Sequence, residues 1–194
     1  MNECKEKEMD ALWYNDAYQA QVAAHYGEHY STSPFYEMWK IVCNSLTPEN
    51  KILDIGCGTG QTGHMLYDLG IKDYIGFDFS EYAISVAKKL SPMTFYTDDA
   101  LTSDLLNGNY NTVISCEFIE HLNADLEVLK RIKSGTMCHI STSNSPCENH
   151  VRWFINEQEV IERYSFLFKD FVVEKYVYPN NTAWWSWIIR GIKI

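Results

Sequence analysis

Apolar and polar residues alternate along this chain with two different periods. Short apolar runs at 51–55, 73–77, 93–96, 111–115 and 136–141 read as buried strands. Between them, apolar positions recur three and four residues apart, predicting helices at 61–69, 80–90 and 124–132. Ala83, Ile84 and Ala87 share one helix face behind Ser80 as N-cap, and Asn123 is placed to cap the helix at 124–132. Strands alternating with helices through short links imply a parallel sheet with helices on both faces. A further helix is expected at 156–166, with Asn156 as N-cap and Glu157 and Glu159 at the positive end of its dipole. Two last strands, 171–178 and 185–192, are joined by a link containing Pro179, Asn180, Asn181 and Thr182. That link is too short for a crossover helix, so the pair is a hairpin and the final strand runs antiparallel. The expected fold is α/β: a doubly wound sheet of about seven strands, mostly parallel.

The first 50 residues have a different texture. Residues 9–47 read as helical and aromatic, with Trp13, Tyr14, Tyr18, Tyr26, Tyr30, Phe35, Tyr36 and Trp39. Ser33-Pro34 predicts a helix start, followed at helical spacing by Met38, Ile41, Val42 and Leu46. The chain of 194 residues carries 16 basic and 26 acidic residues, a formal net charge of −10. That balance opposes a broad nucleic-acid or anionic-membrane surface, either of which needs clustered Lys and Arg. No run of about 18 apolar residues is present and the charged start lacks an apolar signal region, so the expected compartment is the cytoplasm. The six cysteines, Cys4, Cys43, Cys57, Cys116, Cys138 and Cys147, form no C-x-x-C pair and read as reduced, mostly buried thiols.

The most informative segment runs from Ile52 to Gly60, where a buried strand enters Gly56, Gly58 and Gly60. Glycines let a chain turn sharply and let a ligand touch the backbone. The carboxyl end of the first strand of an open parallel sheet is where nucleotides bind. Gly58-x-Gly60-x-x-Gly63 fits the dinucleotide fingerprint literally, but it is out of register, because the glycine that follows the strand directly is Gly56. Asp54 at the strand end would repel a pyrophosphate and would suit an ammonium group.

The segment Ile52-Leu53-Asp54-Ile55-Gly56-Cys57-Gly58-Thr59-Gly60 resembles the first motif of the class I S-adenosylmethionine-dependent methyltransferases, and further motifs follow in order. The stretch from Tyr74 through Asp78, Phe79 and Ser80 resembles the ribose-binding motif, and Asp98-Asp99-Ala100 the adenine motif. The residues from Asn111 through Cys116 and Glu117 to His121 resemble the fourth-strand motif. The fifth-strand region is less regular, with Ser134-Gly135-Thr136 and Ser143-Asn144 where the family has proline-containing forms. The resemblance covers roughly residues 50–145 and implies a Rossmann-like sheet with S-adenosylmethionine as cofactor and S-adenosylhomocysteine as product. It assigns cofactor binding to Asp54, Gly56, Cys57, Gly58, Gly60, Asp78, Phe79, Asp99, Ala100 and Cys116. The chemistry agrees: a carboxylate such as Asp78 offers two acceptors to a ribose diol.

Candidate catalytic groups are Glu117 and His121 in the segment Glu117-Phe118-Ile119-Glu120-His121. On a helical turn, positions i, i+3 and i+4 share a face, so Glu117, Glu120 and His121 could converge on one atom and hold a divalent cation. This form resembles the metal-binding segment of the ubiquinone-biosynthesis O-methyltransferases and of the small-RNA 3′-end 2′-O-methyltransferases, and His150 falls where the RNA branch carries a further histidine. The competing reading is structural, with His121 simply hydrogen-bonded. His139 inside a strand reads as a core residue, and His25 and His29 lie in the aromatic segment, which could fold over the cofactor as a lid. Trp184, Trp185 and Trp187 suit a core or an interface.

Together these readings predict one domain over 1–194: a helical lid or substrate segment at 1–50, a cofactor core at 51–145, and a helix and hairpin at 146–194. The expected activity is methyl transfer to a small-molecule acceptor, with oxygen slightly preferred, by a monomer or homodimer without nucleic-acid or membrane partners. RNA 2′-O-methylation and a non-catalytic cofactor-binding or partner domain remain alternatives.

Overall fold

The computed structural model describes residues 2–3, 8–21 and 26–194; Cys4 and His25 lie outside them. In chain order the elements are β1 (Asn2–Glu3), α1 (Ala11–Gln21), α2 (Tyr36–Val42), β2 (Ile52–Ile55), α3 (Gln61–Asp68), β3 (Tyr74–Asp78), α4 (Glu81–Leu90), β4 (Thr94–Thr97) and β5 (Thr112–Ser115). Then come α5 (Asp125–Arg131), β6 (Met137–Ser143), β7 (Arg152–Trp153), α6 (Glu157–Tyr164), β8 (Phe168–Val177) and β9 (Trp185–Lys193). By its internal contacts the chain divides into two compact units, one of residues 10–110 and one of residues 111–194 together with the described residues before Asp10.

In the first unit β2, β3 and β4 are parallel, with β3 in the middle. All four residues of β2 are buried, as a strand covered on both faces requires. Met65, Leu66, Ala83, Ile84, Ala87, Phe77 and Phe95 complete this core. Ser80 caps α4, its hydroxyl accepting the Ala83 N–H at 3.1 Å. The N-terminal stretch is not one helical run. It breaks into α1, a 3-10 turn over Tyr30–Thr32, and α2, which begins only at Tyr36. The expected start at Ser33-Pro34 is a turn instead: Ser33 Oγ accepts the Phe35 N–H at 3.2 Å and its carbonyl accepts the Tyr36 N–H at 3.1 Å.

In the second unit the strand order is β5-β6-β9-β8. β5 and β6 are parallel, whereas β9 runs antiparallel to both β6 and β8. The terminal hairpin thus inserts its last strand between β6 and its own first strand. A bulge between Lys169 and Val172, with Asp170 at φ 52°, interrupts the β8–β9 register. Asn156 caps α6, accepting the Glu159 N–H at 3.0 Å. Asn123 does not cap α5; its carbonyl accepts from Arg152 and its N–H donates to Glu8. A two-stranded β1–β7 pair is an element that no periodicity announces. Among the described residues no helix is long and apolar enough to cross a membrane.

Candidate functional site

The first unit holds the glycine loop. Gly56, Gly58 and Gly60 all have positive φ, at 73°, 52° and 73°. At Gly60 a Cβ would lie 2.7 Å from Phe95 and 2.8 Å from Ala87, so no side chain fits there. The loop spends its backbone donors internally. The Gly56 and Cys57 N–H groups both donate to the Phe77 carbonyl, at 2.9 and 3.0 Å, and the Gly60 N–H donates to Cys57. The Gly58 N–H donates to Asp78 Oδ2 at 3.0 Å, while the Ser80 N–H donates to Asp78 Oδ1 at 2.9 Å. A pyrophosphate cradle needs outward-facing N–H groups. This loop has committed four of them and instead presents carboxylates.

Asp54 and Asp78 are both buried, at 2% and 6% exposure. Burial pushes the Asp78 carboxyl up to about 6, against the opposing pull of the Ser80 and Gly58 N–H groups. It pushes Asp54 up to about 7, opposed by the Tyr74 hydroxyl and assisted by the Asp78 charge. Tyr74 donates to Asp54 at 2.6 Å. Space for that ring comes from Gly63 and Gly76, where a Cβ would lie 2.7 Å from it. Gly63, the third glycine of the literal dinucleotide fingerprint, therefore serves Tyr74. Tyr74 had no assigned role in the sequence reading; the flanking glycines were the available signal.

Helix α1 lies over this loop. Asn15 Oδ1 accepts from Ser80 Oγ at 2.7 Å and from the Tyr82 N–H at 3.1 Å. Tyr14 packs on Phe79 with ring centroids 5.2 Å apart. The Tyr18 hydroxyl lies 2.9 Å from where a Gly58 Cβ would stand, and burial together with the Asp78 charge raises its pKa. No sequence signal marked Asn15. Cys57 is half-buried, with its thiol pushed well up by burial. Asp99 is exposed and accepts the Leu101 N–H at 2.8 Å within a turn, and Ala100 is buried beside it.

The second unit holds Cys116, half-buried just after β5, and the acid–histidine segment. Here Glu117, Glu120 and His121 do not share one helical face. Glu117 sits at φ 50°, outside a 3-10 turn that covers only Ile119–His121. That strained backbone sends its carboxylate to Ser141, whose hydroxyl donates to it at 2.8 Å while accepting the Glu117 N–H at 3.0 Å. Burial raises the Glu117 pKa, against hydrogen bonds from Ser141 and Ser186. Tyr178 extends this network, 2.9 Å from Ser186 Oγ.

Glu120 gathers instead with His121 and His150, their ligand atoms within 4.8 Å of one another. Both Glu120 oxygens are fully buried and have no hydrogen-bond partner, and burial raises its pKa strongly, the neighbouring Glu117 charge adding to this. His150 Nδ1 lies 2.6 Å from the Ser145 carbonyl. His121 Nδ1 lies 3.0 Å from the Asn149 carbonyl and Nε2 lies 3.1 Å from the Glu117 carbonyl. Burial and then His150 push the His121 pKa down to about 3, so the ring is neutral at pH 7. His139 is buried within β6, and the Trp187 indole donates to the Phe154 carbonyl at 2.7 Å. Trp184 is half exposed.

A glycine-rich turn after a buried parallel strand, braced by a carboxylate from the next strand, lies at the carboxyl end of the sheet, the place where open α/β sheets in general bind ligands. A family profile described as a methyltransferase domain matches residues 52–136. The chain is 31% identical over 117 residues to "Putative methyltransferase YqeM" of Bacillus subtilis (strain 168), covering 58% of this chain and 47% of that protein. It is 26% identical over 105 residues to the human eEF1A lysine and N-terminal methyltransferase, covering 52% of this chain and 15% of that protein. The chain thus spans less than half the length of these curated relatives. Among solved structures, a SAM-dependent methyltransferase from Anabaena variabilis superposes with a TM-score of 0.71 at 14% identity, covering 100% of this chain and 99% of that one. Residues 52–136 thus match a methyltransferase domain, and the mixed sheet with its antiparallel last strand is the Rossmann-like fold of that methyltransferase structure.

Raised carboxyls make stability depend on pH, and Asp54 and Asp78 contribute in the first unit. A carboxyl whose folded pKa is raised stabilises the fold below its unfolded value, near 4, and this is lost as pH rises through the folded value. Asp54 and Asp78 should therefore lower the melting temperature of the ligand-free protein between about pH 4 and pH 7. Melting curves across that range should show the decline, and Asp54→Asn should flatten it. An unchanged slope in the variant would contradict the assignment.

Proposed function

We propose that this chain binds S-adenosylmethionine in the glycine-loop cradle and transfers its methyl group to a small-molecule acceptor, with a hydroxyl oxygen as the preferred nucleophile. The carrying observation is the Asp78 clasp. Its carboxylate holds Gly58 and Ser80 through one N–H each and keeps lone pairs for a ribose diol. The loop glycines let the cofactor lie against the backbone. Asp54, beneath them, complements the amino-acid ammonium, and Ala100 and Asp99 suit the adenine edge. Phe79 and the α1 tyrosines supply aromatic faces that favour a sulfonium cation.

When bound, the cofactor supplies an electrophilic methyl on a sulfonium whose leaving group is a neutral thioether. Glu117 is the assigned base. Burial raises its proton affinity, and Ser141 and Ser186 fix its orientation. It takes the acceptor's hydroxyl proton onto a carboxylate oxygen. His121, neutral, has one N–H to donate to either the Asn149 or the Glu117 carbonyl, and acts as a positioning residue rather than moving a proton. The net charge of −10 disfavours RNA as acceptor.

A second reading adds a divalent cation, favoured by the unpartnered buried carboxylate of Glu120. Glu120, His121 and His150 would hold it, with His150 Nδ1 turned to a carbonyl as metal-bound histidines usually are. Such an ion would lower the pKa of a coordinated hydroxyl. Glu117 is not part of that set.

The test is release of S-adenosylhomocysteine with a panel of phenols, amines, peptides and RNA. Glu117→Gln should abolish turnover and leave S-adenosylhomocysteine affinity within about twofold. Turnover only with RNA or peptides would replace the small-molecule reading, and cofactor binding without turnover on any acceptor would favour a non-catalytic domain. Activity unaffected by EDTA and by Glu120→Gln would remove the cation.

A further inference from the structure

A second cluster of ligating side chains lies in the first unit, away from the glycine loop, and nothing in the methyl-transfer reading uses it. His64 and Asp68 stand four residues apart on α3, so their side chains project from one face. His29, just before the 3-10 turn, comes to the same face. The ligand atoms of His29, His64 and Asp68 all lie within 4.8 Å of one another. His29 Nε2 is 3.9 Å from Asp68 Oδ2. That is too long for a hydrogen bond. It lies within reach of the roughly 3.3 Å that separates two ligands placed about 2.0–2.1 Å from one tetrahedral ion.

The surroundings orient these groups as second partners orient metal ligands. The Tyr30 hydroxyl donates to Asp68 Oδ2 at 2.9 Å. His29 Nδ1 is 2.8 Å from Ser31 Oγ. His29 Nδ1 also accepts the Ser31 N–H at 3.3 Å, so the ring proton sits on Nε2, facing Asp68, and an ion would take its place there. The His29, Tyr30 and His64 rings pack on each other, with His29–His64 centroids 5.0 Å and Tyr30–His64 centroids 5.3 Å apart. That packing limits the rotamer freedom each ligand would lose on binding.

We propose that His29, His64 and Asp68 form a site for a divalent first-row transition ion, Zn2+ being the ion this His2Asp donor set suits, with its remaining positions filled by water. The ion would staple the segment before α2 to α3. Gln61 already ties that segment to the start of the same helix, donating to the Glu28 carbonyl at 3.0 Å. The site is independent of the acceptor and of the Glu120 cluster.

Paramagnetic Co2+ titrated into the full chain, followed by amide NMR, separates the sites. The expected result is saturable broadening centred on residues 29, 64 and 68. His64→Gln, on a helix face that tolerates polar residues, should weaken Co2+ binding there at least tenfold. The pair Glu120→Gln and His150→Ala should leave it unchanged. Zn2+ should compete with Co2+ and raise the melting temperature in wild type more than in His64→Gln. Broadening confined to residues 120–150 or to cysteines, or broadening at residues 29–68 that survives His64→Gln, would overturn the site.

Discussion

Asp78→Asn is expected to weaken S-adenosylhomocysteine binding by roughly 10- to 100-fold, since hydrogen bonds to a charged group contribute about 1.5–3 kcal/mol. The aspartate works twice. It accepts one N–H from the glycine turn and one from the start of α4, Gly58 and Ser80, and its remaining lone pairs are available to a diol. An asparagine keeps the shape but has one acceptor oxygen, so its NH2 group must face one of those N–H donors. The turn is then braced on one side only, and the diol loses an ionic acceptor. Calorimetry at pH 8, where the wild-type carboxyl is ionised, measures the effect, and a circular-dichroism melt checks that the variant is folded. An affinity equal to wild type in a folded variant would remove Asp78 from the cofactor site.

Asp125→Ala should be the most destabilising single change in the second unit. Asp125 is fully buried and accepts from Arg163 Nε at 2.8 Å and Nη2 at 2.7 Å, and from the Tyr164 hydroxyl at 2.7 Å. Arg152, 1% exposed, lies 3.4 Å away and donates to the carbonyls of Ile119, Leu122 and Asn123. Removing one partner of a buried pair costs about 3–5 kcal/mol, because the remaining charge stays buried. For a chain of this size that corresponds to a melting-temperature loss on the order of 10 °C. The same network anchors the 119–123 turn that carries Glu120 and His121, so the loss should reach that cluster. Arg163→Met should cost less, because Arg163 is partly exposed and Arg152 keeps its anion. A loss of only a few degrees in Asp125→Ala would show that Arg152 is satisfied by its carbonyls alone.

Local chemistry made the strands and the glycine loop readable. Strands β2 to β6 and the caps Ser80 and Asn156 follow from short-range pattern, and the structure places them within a residue or two of expectation. The glycine loop was legible because a tight turn after a strand demands particular residue types at fixed offsets. The N-terminal segment misled because its aromatic residues are dense enough to satisfy a helical period almost anywhere. The helix start expected at Ser33-Pro34 is replaced by a turn because the Phe35 and Tyr36 N–H groups close on Ser33 first. Glu117 left the predicted helical face because its backbone turns to positive φ, a conformation no spacing rule announces.

By itself, the sequence determined the alternation of elements, the antiparallel end and the residue types of the cradle, because each depends on contacts within a few residues or on one strand's period. The tertiary structure alone decided how those groups behave. Burial raises Asp54 and Asp78, His150 rather than Glu117 joins Glu120 and His121, and Asn15 pins an aromatic helix over the glycine loop. Those outcomes depend on desolvation and on pairings across 28 to 65 residues of chain, whose strengths a linear pattern does not encode.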